Sequence, residues 1–164
     1  MRAIAREATV DPSLVSHYFG GKDDLFLAAI ELPFEPEVVL PSLLASDIES
    51  LGERVARFAV GILEDEAARA RVLAIVRAAA SEPAAAALLR RLIEERIRDP
   101  IARALGSDDA ELRAALMGSQ IVGLVMARYV VGVEPLASLP ADDLAANIAP
   151  TFQRYLAEPL AAPD

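Results

Sequence analysis

Apolar residues recur at every third or fourth position along most of the chain, which is the spacing of a helix with one buried side. In the segment that follows Ser46, the apolar positions are Ile48, Leu51, Val55, Phe58, Ala59 and Ile62. Further helices are predicted over residues 67–80, 83–105, 108–133 and 144–156, and no segment alternates apolar and polar residues as a strand does. The pattern predicts an all-α fold.

The first thirty residues are built from shorter units. A first helix carries apolar residues at Ile4, Ala5 and Ala8. Asp11 and Pro12 begin a second short helix, because aspartate caps helix N-termini well and proline is tolerated at the first helical position. Two glycines, at 20 and 21, end this helix before a third one begins. Two short helices joined by a tight turn predict a helix-turn-helix head, which we assign to residues 1–32.

The remaining sequence, residues 37–164, predicts a helical bundle that follows a proline-marked linker. Residues 46–49 have the form of a capping box, Ser-Asp-Ile-Glu. The segment from Ser107 to Val133 is apolar or small on nearly every side, which predicts a helix covered all round. In so small a body a partner chain is the simplest cover, so we predict a homodimer through this helix and the one from Leu144 to Leu156. The alternative is a central helix wrapped by its own chain.

Composition excludes several kinds of chemistry. The 164 residues contain no cysteine and a single histidine, His17, so disulfides, thiolate sites, a zinc site and a Ser-His-Asp triad are not expected. Acidic residues such as Glu94, Glu95, Asp108 and Asp109 are interpreted as helix caps and solvated faces. We therefore predict no enzyme activity, no catalytic residues, no metal and no cofactor.

Charge and hydropathy indicate the cellular compartment in which the protein is expected. Sixteen basic residues against 25 acidic ones give a net charge of −9, which argues against coating nucleic acid non-specifically but leaves room for a small basic head. No signal peptide is recognised at the start. The long apolar stretch ending at Val133 contains Gln120 and Arg128, and an arginine is costly at the centre of a membrane span. We predict a cytoplasmic protein without membrane contact.

The head resembles the helix-turn-helix of the TetR family of bacterial transcriptional regulators. The matching positions are Ile4, Ala5, Ala8, Val10, His17, Tyr18, Phe19, Lys22, Leu25 and Phe26. Thr9 stands where the family usually has glycine, and Ser16 where it often has tyrosine. The resemblance implies a ligand-responsive regulator, a repressor that binds a palindromic operator in double-stranded DNA as a homodimer.

Candidate DNA contacts lie on and around the second helix. Its N-terminal half is the end that meets base edges in a major groove, and Lys22, the sole lysine, stands at a helix start suited to a phosphate. Arg2 and Arg6 share a helix face that could reach the backbone. The predicted DNA-binding set is Arg2, Pro12, Ser13, Leu14, Ser16, His17, Tyr18 and Lys22. The alternatives are a solvated lysine, a packed or surface histidine, and a solvated arginine face.

An effector pocket is expected among the helices between Ile48 and Leu105. Polar residues inside apolar runs are the candidates for orienting a small molecule, and the alternative for each, which the pattern favours, is a structural or surface role: Arg77, Ser119, Gln120, Tyr129 and Asn147. Because aromatic residues make up only 5% of the chain, the pocket is predicted to be aliphatic. Arg128 is expected to pair with a carboxylate instead.

The family's DNA-binding domain has a helix that would precede Arg2. Without that helix the apolar side chains of Ile4, Val15, Phe19 and Phe26 lose part of their cover, at about 1.5–3 kcal/mol each. We therefore expect Met1 to be an internal methionine of a longer protein. The alternative function is that of a truncated member, which dimerises and binds a small molecule but does not bind DNA on its own.

Overall fold

A computed structural model describes residues 2–19, 32–100 and 109–160. Throughout these ranges the regular structure is helical and no strand occurs, so the all-α prediction is confirmed. The head contains α1 (Arg2–Glu7) and α2 (Pro12–Phe19), which pack against each other across a turn. The third helix of the predicted head, with Lys22, Leu25 and Phe26, lies outside the described residues.

Within the described ranges, six longer helices belong to the body. They are α3 (Pro36–Leu44), α4 (Leu51–Glu64), α5 (Glu66–Ser81), α6 (Pro83–Ile93), α7 (Ala110–Val125) and α8 (Ala141–Ala157). A 3₁₀ turn, Ile48–Ser50, precedes α4. Two helices lengthen into wider π-helical turns, α6 into Glu94–Arg98 and α7 into Met126–Val131.

Several helices begin at a proline or at a capping residue, with one exception. Pro36 and Pro83 stand at first helical positions, and the Asp65 carboxylate accepts a hydrogen bond from the Ala68 amide at 2.7 Å. The predicted capping box at residues 46–49 does not form. Instead, the Asp47 carboxylate accepts a hydrogen bond from the Ser50 hydroxyl at 2.6 Å, because the chain makes a 3₁₀ turn before α4 begins.

The main core lies where α4, α7 and α8 meet. Its buried side chains are Leu51, Ala56, Ala59, Val60, Met117, Leu144, Ala145, Phe152 and Leu156. Helix α8 makes its most extensive contact with α4, and the two backbones approach each other closely at Gly52. The Gly52 amide donates a hydrogen bond to the Gln153 side chain at 2.7 Å, and the same side chain donates to the Ile48 carbonyl at 2.7 Å. Gln153 therefore fixes the start of α4 against α8.

A buried arginine joins α7 to the end of α8. The Arg113 guanidinium forms a two-pronged ion pair with Asp109, at 2.7 and 3.0 Å, and donates to the carbonyls of Tyr155 and Glu158. Only 8% of Arg113 is exposed. Because the charge is both paired and hydrogen-bonded, its burial is tolerated and it closes the free carbonyl end of α8.

The far end of α7 is held by a second arginine. Arg128, in the π-helical turn, donates to the Leu136 carbonyl at 2.5 Å and approaches the Glu64 carboxylate at 3.4 Å. Pairing of Arg128 with a carboxylate was predicted from the sequence and is confirmed. A small apolar cluster of Leu63, Val76 and Val125 lies beneath this end of the helix.

The long apolar helix was predicted to be covered on all sides, and within the protomer it is covered on one side only. Within the protomer α7 buries Ala110, Arg113, Ala114, Met117 and Val125, and its opposite side is exposed. By length and composition alone, residues Ala110–Val131 are apolar enough to cross a membrane, which is weak support for a span. Among the described residues, the chain's own helices cover this one side of α7.

Candidate nucleic-acid interface and cavity

Helix α2 is held by a cap and a small apolar contact. The Asp11 carboxylate accepts hydrogen bonds from the Ser13 amide at 2.7 Å and from the Ser13 hydroxyl at 2.5 Å. These two bonds lower the pKa of the Asp11 carboxyl below its usual value, because they favour the charged form. Ala5 of α1 and Val15 of α2 are buried. The cap predicted at Asp11 is confirmed. Val15, which was expected to lose part of its cover, is only 7% exposed, so that expectation is wrong for this side chain.

The turn between α1 and α2 contains a residue in the left-handed region. Thr9 has φ +57°, a conformation that glycine adopts freely and a β-branched residue rarely does. The Val10 amide donates to the Ala5 carbonyl at 2.9 Å and closes the turn. Thr9 occupies the position at which the resemblance leads us to expect glycine, and the local backbone keeps the glycine-like geometry.

The outer side of α2 exposes a mixed polar and aromatic surface. Tyr18 is 77% exposed and Leu14 is 49% exposed, so both present large apolar surfaces to solvent. His17 is also exposed, and its ring meets that of Tyr18 edge-on at 5.6 Å. A tyrosine that is exposed and packs edge-on against a histidine ring can contact another molecule.

The predicted DNA-binding residues divide into two groups. Pro12, Ser13, Leu14, His17 and Tyr18 are exposed on α2, where they share one short helix. The Ser13 hydroxyl hydrogen is used in the Asp11 cap, so its oxygen remains as an acceptor. Lys22 lies outside the described residues, and so do the side chains of Arg2 and Ser16.

A cavity of about 470 Å³ lies between α6 and α7. Among the described residues its walls are mainly aliphatic and include no aromatic side chain; the apolar residues are Ala79, Ala86, Leu89, Ile93, Ala114, Ala115, Gly118 and Val122. The charged residues that line it are Arg90, Glu94, Arg98 and Glu111. Its volume falls within the usual range for small-molecule sites, about 300–1,000 Å³.

Only one predicted effector-contacting residue lines this cavity. Ser119 does so, and its hydroxyl donates to the Leu116 carbonyl at 2.7 Å. Arg77 and Gln120 are exposed and lie away from the cavity lining. Exposed Asn147 uses its side-chain amide to donate to the Asp143 carbonyl at 2.8 Å.

Tyr129 serves the packing around Arg128 and does not line the cavity. Its hydroxyl donates to the Glu64 carboxylate at 3.1 Å, and the guanidinium groups of Arg69 and Arg128 lie 5.5 and 5.4 Å from the centre of its ring. Burial raises the pKa of the Tyr129 hydroxyl above its usual value. Because its hydroxyl contacts Glu64 and its ring contacts two arginines, we interpret Tyr129 as a structural residue.

The charged part of the cavity was missed by the sequence analysis. Arg90, Glu94 and Arg98 are spaced four residues apart, which places them along one side of α6 and its π-helical turn. This spacing was available in the sequence, but it is equally typical of a solvated helix face. In the structure α7 packs beside this row, so these residues line the cavity and are not only a solvated helix face.

The exposed side of α7 forms a continuous apolar surface. Its members, which we call the outer face of α7, are Leu112, Ala115, Ser119, Val122, Gly123 and Val130. Leu112, Val122 and Val130 are 47%, 41% and 38% exposed. A Cβ atom added to Gly123 would meet no other atom within 4 Å, so the surface is open there. Exposed apolar residues that share one side of a helix are a candidate interaction surface.

Within the described ranges, no group of three or more His, Asp or Glu side chains is arranged to hold a metal ion. This finding is limited to those ranges, and it assigns no metal ligand to either the α2 surface or the cavity.

Comparisons with known proteins agree on one family. Residues 1–29 match the model of "Bacterial regulatory proteins, tetR family", and residues 49–156 match "Tetracyclin repressor-like, C-terminal domain". The structure resembles a solved TetR-family regulator from Streptomyces coelicolor A3, with a TM-score of 0.56 and 35% identity. That match covers 93% of this chain and 80% of the other. No curated protein matches the sequence.

Proposed function

Because this chain belongs to the TetR family of bacterial regulators, we propose that it is a ligand-responsive transcriptional repressor that binds a palindromic operator as a homodimer. Members of the family are DNA-binding regulators, and the resemblance found in the head of the sequence is thereby confirmed. The repressor role, the operator symmetry and the dimer are our proposal. We place the protein in the cytoplasm with its DNA, and we propose no enzyme activity and no cofactor.

The exposed surface of α2 is the observation that carries the DNA-binding proposal. The helix is anchored through Val15 and the Asp11 cap, while Leu14, His17 and Tyr18 project outward. A helix of this kind can enter a major groove, where tyrosine and histidine can contact base edges or phosphates and an apolar side chain can meet a thymine methyl group. Lys22 and Arg2 are proposed to add phosphate contacts.

The outer face of α7 supports the homodimer. We place the centre of the interface on this apolar surface, with α8 beside it. The outward residues of α8 are more polar and include Ala146, Asn147, Pro150 and Arg154. An apolar centre with a polar rim is the usual organisation of a protein interface. Two copies joined in this way would present two α2 helices to successive major grooves, about 34–36 Å apart.

The cavity between α6 and α7 is the proposed effector site. Aliphatic walls favour a ligand with an apolar body, and Arg90, Glu94, Arg98 and Glu111 can bind a polar or charged end of it. Ser119 is the predicted effector residue that this site retains. Binding would reduce operator affinity only to the extent that the effector prefers the DNA-free arrangement of the dimer.

Replacing Tyr18 by alanine tests the role of α2. Because the side chain is 77% exposed, the melting temperature should stay within about 2 °C of wild type. Affinity for DNA sites selected by the protein from random sequence should fall about 10-fold or more, since a base-edge contact contributes about 1–3 kcal/mol. Fluorescence anisotropy with labelled duplexes measures the affinity.

The matched control is Val38→Ala, which removes another exposed side chain, 63% accessible, from α3. This variant should bind the selected sites as wild type does. Unchanged affinity of Tyr18→Ala for those sites would remove α2 as the DNA-reading helix.

A further inference from the structure

The charged side chains of the cavity between α6 and α7 differ in whether they already have a counter-charge. Arg98 donates a hydrogen bond to the Asp99 carboxylate at 2.9 Å. That bond, together with the negative charges of Glu111 and Glu94, raises the pKa of the Arg98 guanidinium above its usual value. The acidic residues that line the cavity therefore already have a positive charge beside them, and Arg98 is already used.

Arg90 lines the same cavity and has no such partner. In the described part of the chain its side chain forms no hydrogen bond and no ion pair. The adjacent arginine in the last turn of α6, Arg91, lies 3.6 Å from the Glu95 carboxylate and is paired in this way. A guanidinium presents its N–H donors in a planar fork that matches the two oxygens of a carboxylate. Arg90 can therefore accept a negative charge that the protein itself does not supply.

Apolar residues flank Arg90 along α6. Ala86 precedes it by four positions and Ile93 follows it by three, so the three residues share one side of the helix, and all of them line the cavity. Helix α7 contributes the small residues Ala115 and Gly118 to the same lining. Because the described lining contains no aromatic ring, a flat aromatic ligand finds no stacking partner there, whereas an alkyl chain can pack against these aliphatic groups.

We propose that the cavity binds an aliphatic carboxylate, whose charged end pairs with the Arg90 guanidinium and whose alkyl chain packs against the apolar residues of α6 and α7. This inference rests on the proposed function, because it names the chemical class of effector for the same site. An aliphatic amine should bind more weakly, because Arg90 repels it and Arg98 competes with it for the carboxylates. A dicarboxylate should also bind more weakly, because Glu94 and Glu111 repel its second charge.

The test compares three ligands that carry the same alkyl chain and differ in charge: octanoate, octan-1-ol and octylamine. Isothermal titration calorimetry measures their affinities for the wild-type chain and three variants. Arg90→Gln removes the charge from the cavity lining. Arg91→Gln is the matched control, since it removes the same charge from the adjacent exposed residue, which does not line the cavity. Ala86→Trp fills part of the apolar space from the α6 side.

A carboxylate site at Arg90 predicts a specific combination of results. The wild-type chain binds octanoate at least about 10-fold more tightly than octan-1-ol or octylamine, because hydrogen bonds to charged groups are stronger than those between neutral groups. Arg90→Gln loses at least about 10-fold in octanoate affinity and keeps its affinity for octan-1-ol. Arg91→Gln binds all three ligands as wild type does. Ala86→Trp binds octanoate and octan-1-ol more weakly by a similar factor. Because Arg90 is exposed, Arg90→Gln should keep the wild-type melting temperature.

Four results would overturn the inference. They are no octanoate binding by the wild-type chain, tighter binding of octylamine than of octanoate, equal octanoate affinities of Arg90→Gln and Arg91→Gln, and unchanged octanoate binding by Ala86→Trp. The third would leave Arg90 as a solvated arginine, and the fourth would place the ligand outside the cavity.

The proposed function is tested separately, by adding octanoate to the wild-type chain bound to its selected DNA sites. Octanoate that binds through Arg90 and weakens DNA binding supports both the ligand class and the effector role. Octanoate that binds through Arg90 and leaves DNA affinity unchanged supports the ligand class and refutes the cavity as the effector site.

Discussion

Replacing Gly52 by alanine is expected to lower the melting temperature of the chain by about 6–12 °C. An added Cβ atom would lie 2.4 Å from the Gln153 backbone nitrogen and 2.5 Å from the Ala149 carbonyl oxygen, far inside contact distance. Both atoms belong to the backbone of α8, so relief requires α4 and α8 to separate along their largest contact. Overpacking of this kind costs about 1–3 kcal/mol and occasionally more, and 3 kcal/mol corresponds to this shift for a chain of 164 residues.

The same helix provides a control at Gly61, where a Cβ atom would meet nothing within 4 Å. Gly61→Ala should raise stability by about 0.5–1 kcal/mol, because alanine favours the helical backbone more than glycine does. Differential scanning calorimetry measures both variants under one condition. Equal melting temperatures for the two would show that α4 and α8 do not approach closely at Gly52.

Replacing Gly123 by arginine is expected to weaken dimerisation at least about 100-fold and to abolish operator binding at nanomolar protein. The substitution occurs twice in a symmetric dimer, so two like charges are brought to one apolar surface without acidic partners. In the protomer the position is open, and arginine is a better helix former than glycine. The variant should therefore fold as a monomer at least as stable as the wild-type protomer.

Gly61→Arg is the matched control, since it adds the same charge at another open helical glycine outside the proposed interface. Sedimentation equilibrium over a wide concentration range measures the dimer dissociation constant of each protein. A Gly123→Arg variant that remains as dimeric as Gly61→Arg would move the interface away from the outer face of α7.

Local sequence signals were sufficient for most helix starts. Pro83, which was predicted as a helix start, acts within one helical turn, so its effect on the backbone is visible in the sequence itself. Pro36 and Asp65 begin helices in the same way, but the segment at Pro36 was interpreted as a linker and Asp65 was not identified as a cap. The 46–49 capping box failed, although the same signals were present. In the 3₁₀ turn that forms there, the Ile48 carbonyl accepts a hydrogen bond from Gln153, which is about a hundred residues away in the sequence.

At the candidate sites, the sequence could not predict arrangements that depend on contacts between helices distant in the chain. The exposed face of α2 could be predicted, because the cap at Asp11 and the apolar spacing fix which side Val15 occupies. The cavity could not, since polar residues in apolar runs, such as Gln120, proved to be exposed. Its charged residues lie on α6 and α7, and only the pairing of these helices brings Arg90 and Glu111 to one cavity.

Selection of binding sites from random double-stranded DNA by the whole chain tests the central claim most directly. A dimer that reads DNA with two α2 helices predicts an enriched inverted repeat, with half-site centres about one helical turn apart and protected as a pair in footprinting. A Tyr18→Ala chain should enrich that repeat far more weakly. Failure of the wild-type chain to enrich any sequence, or enrichment of a single site without two-fold symmetry, would contradict the account.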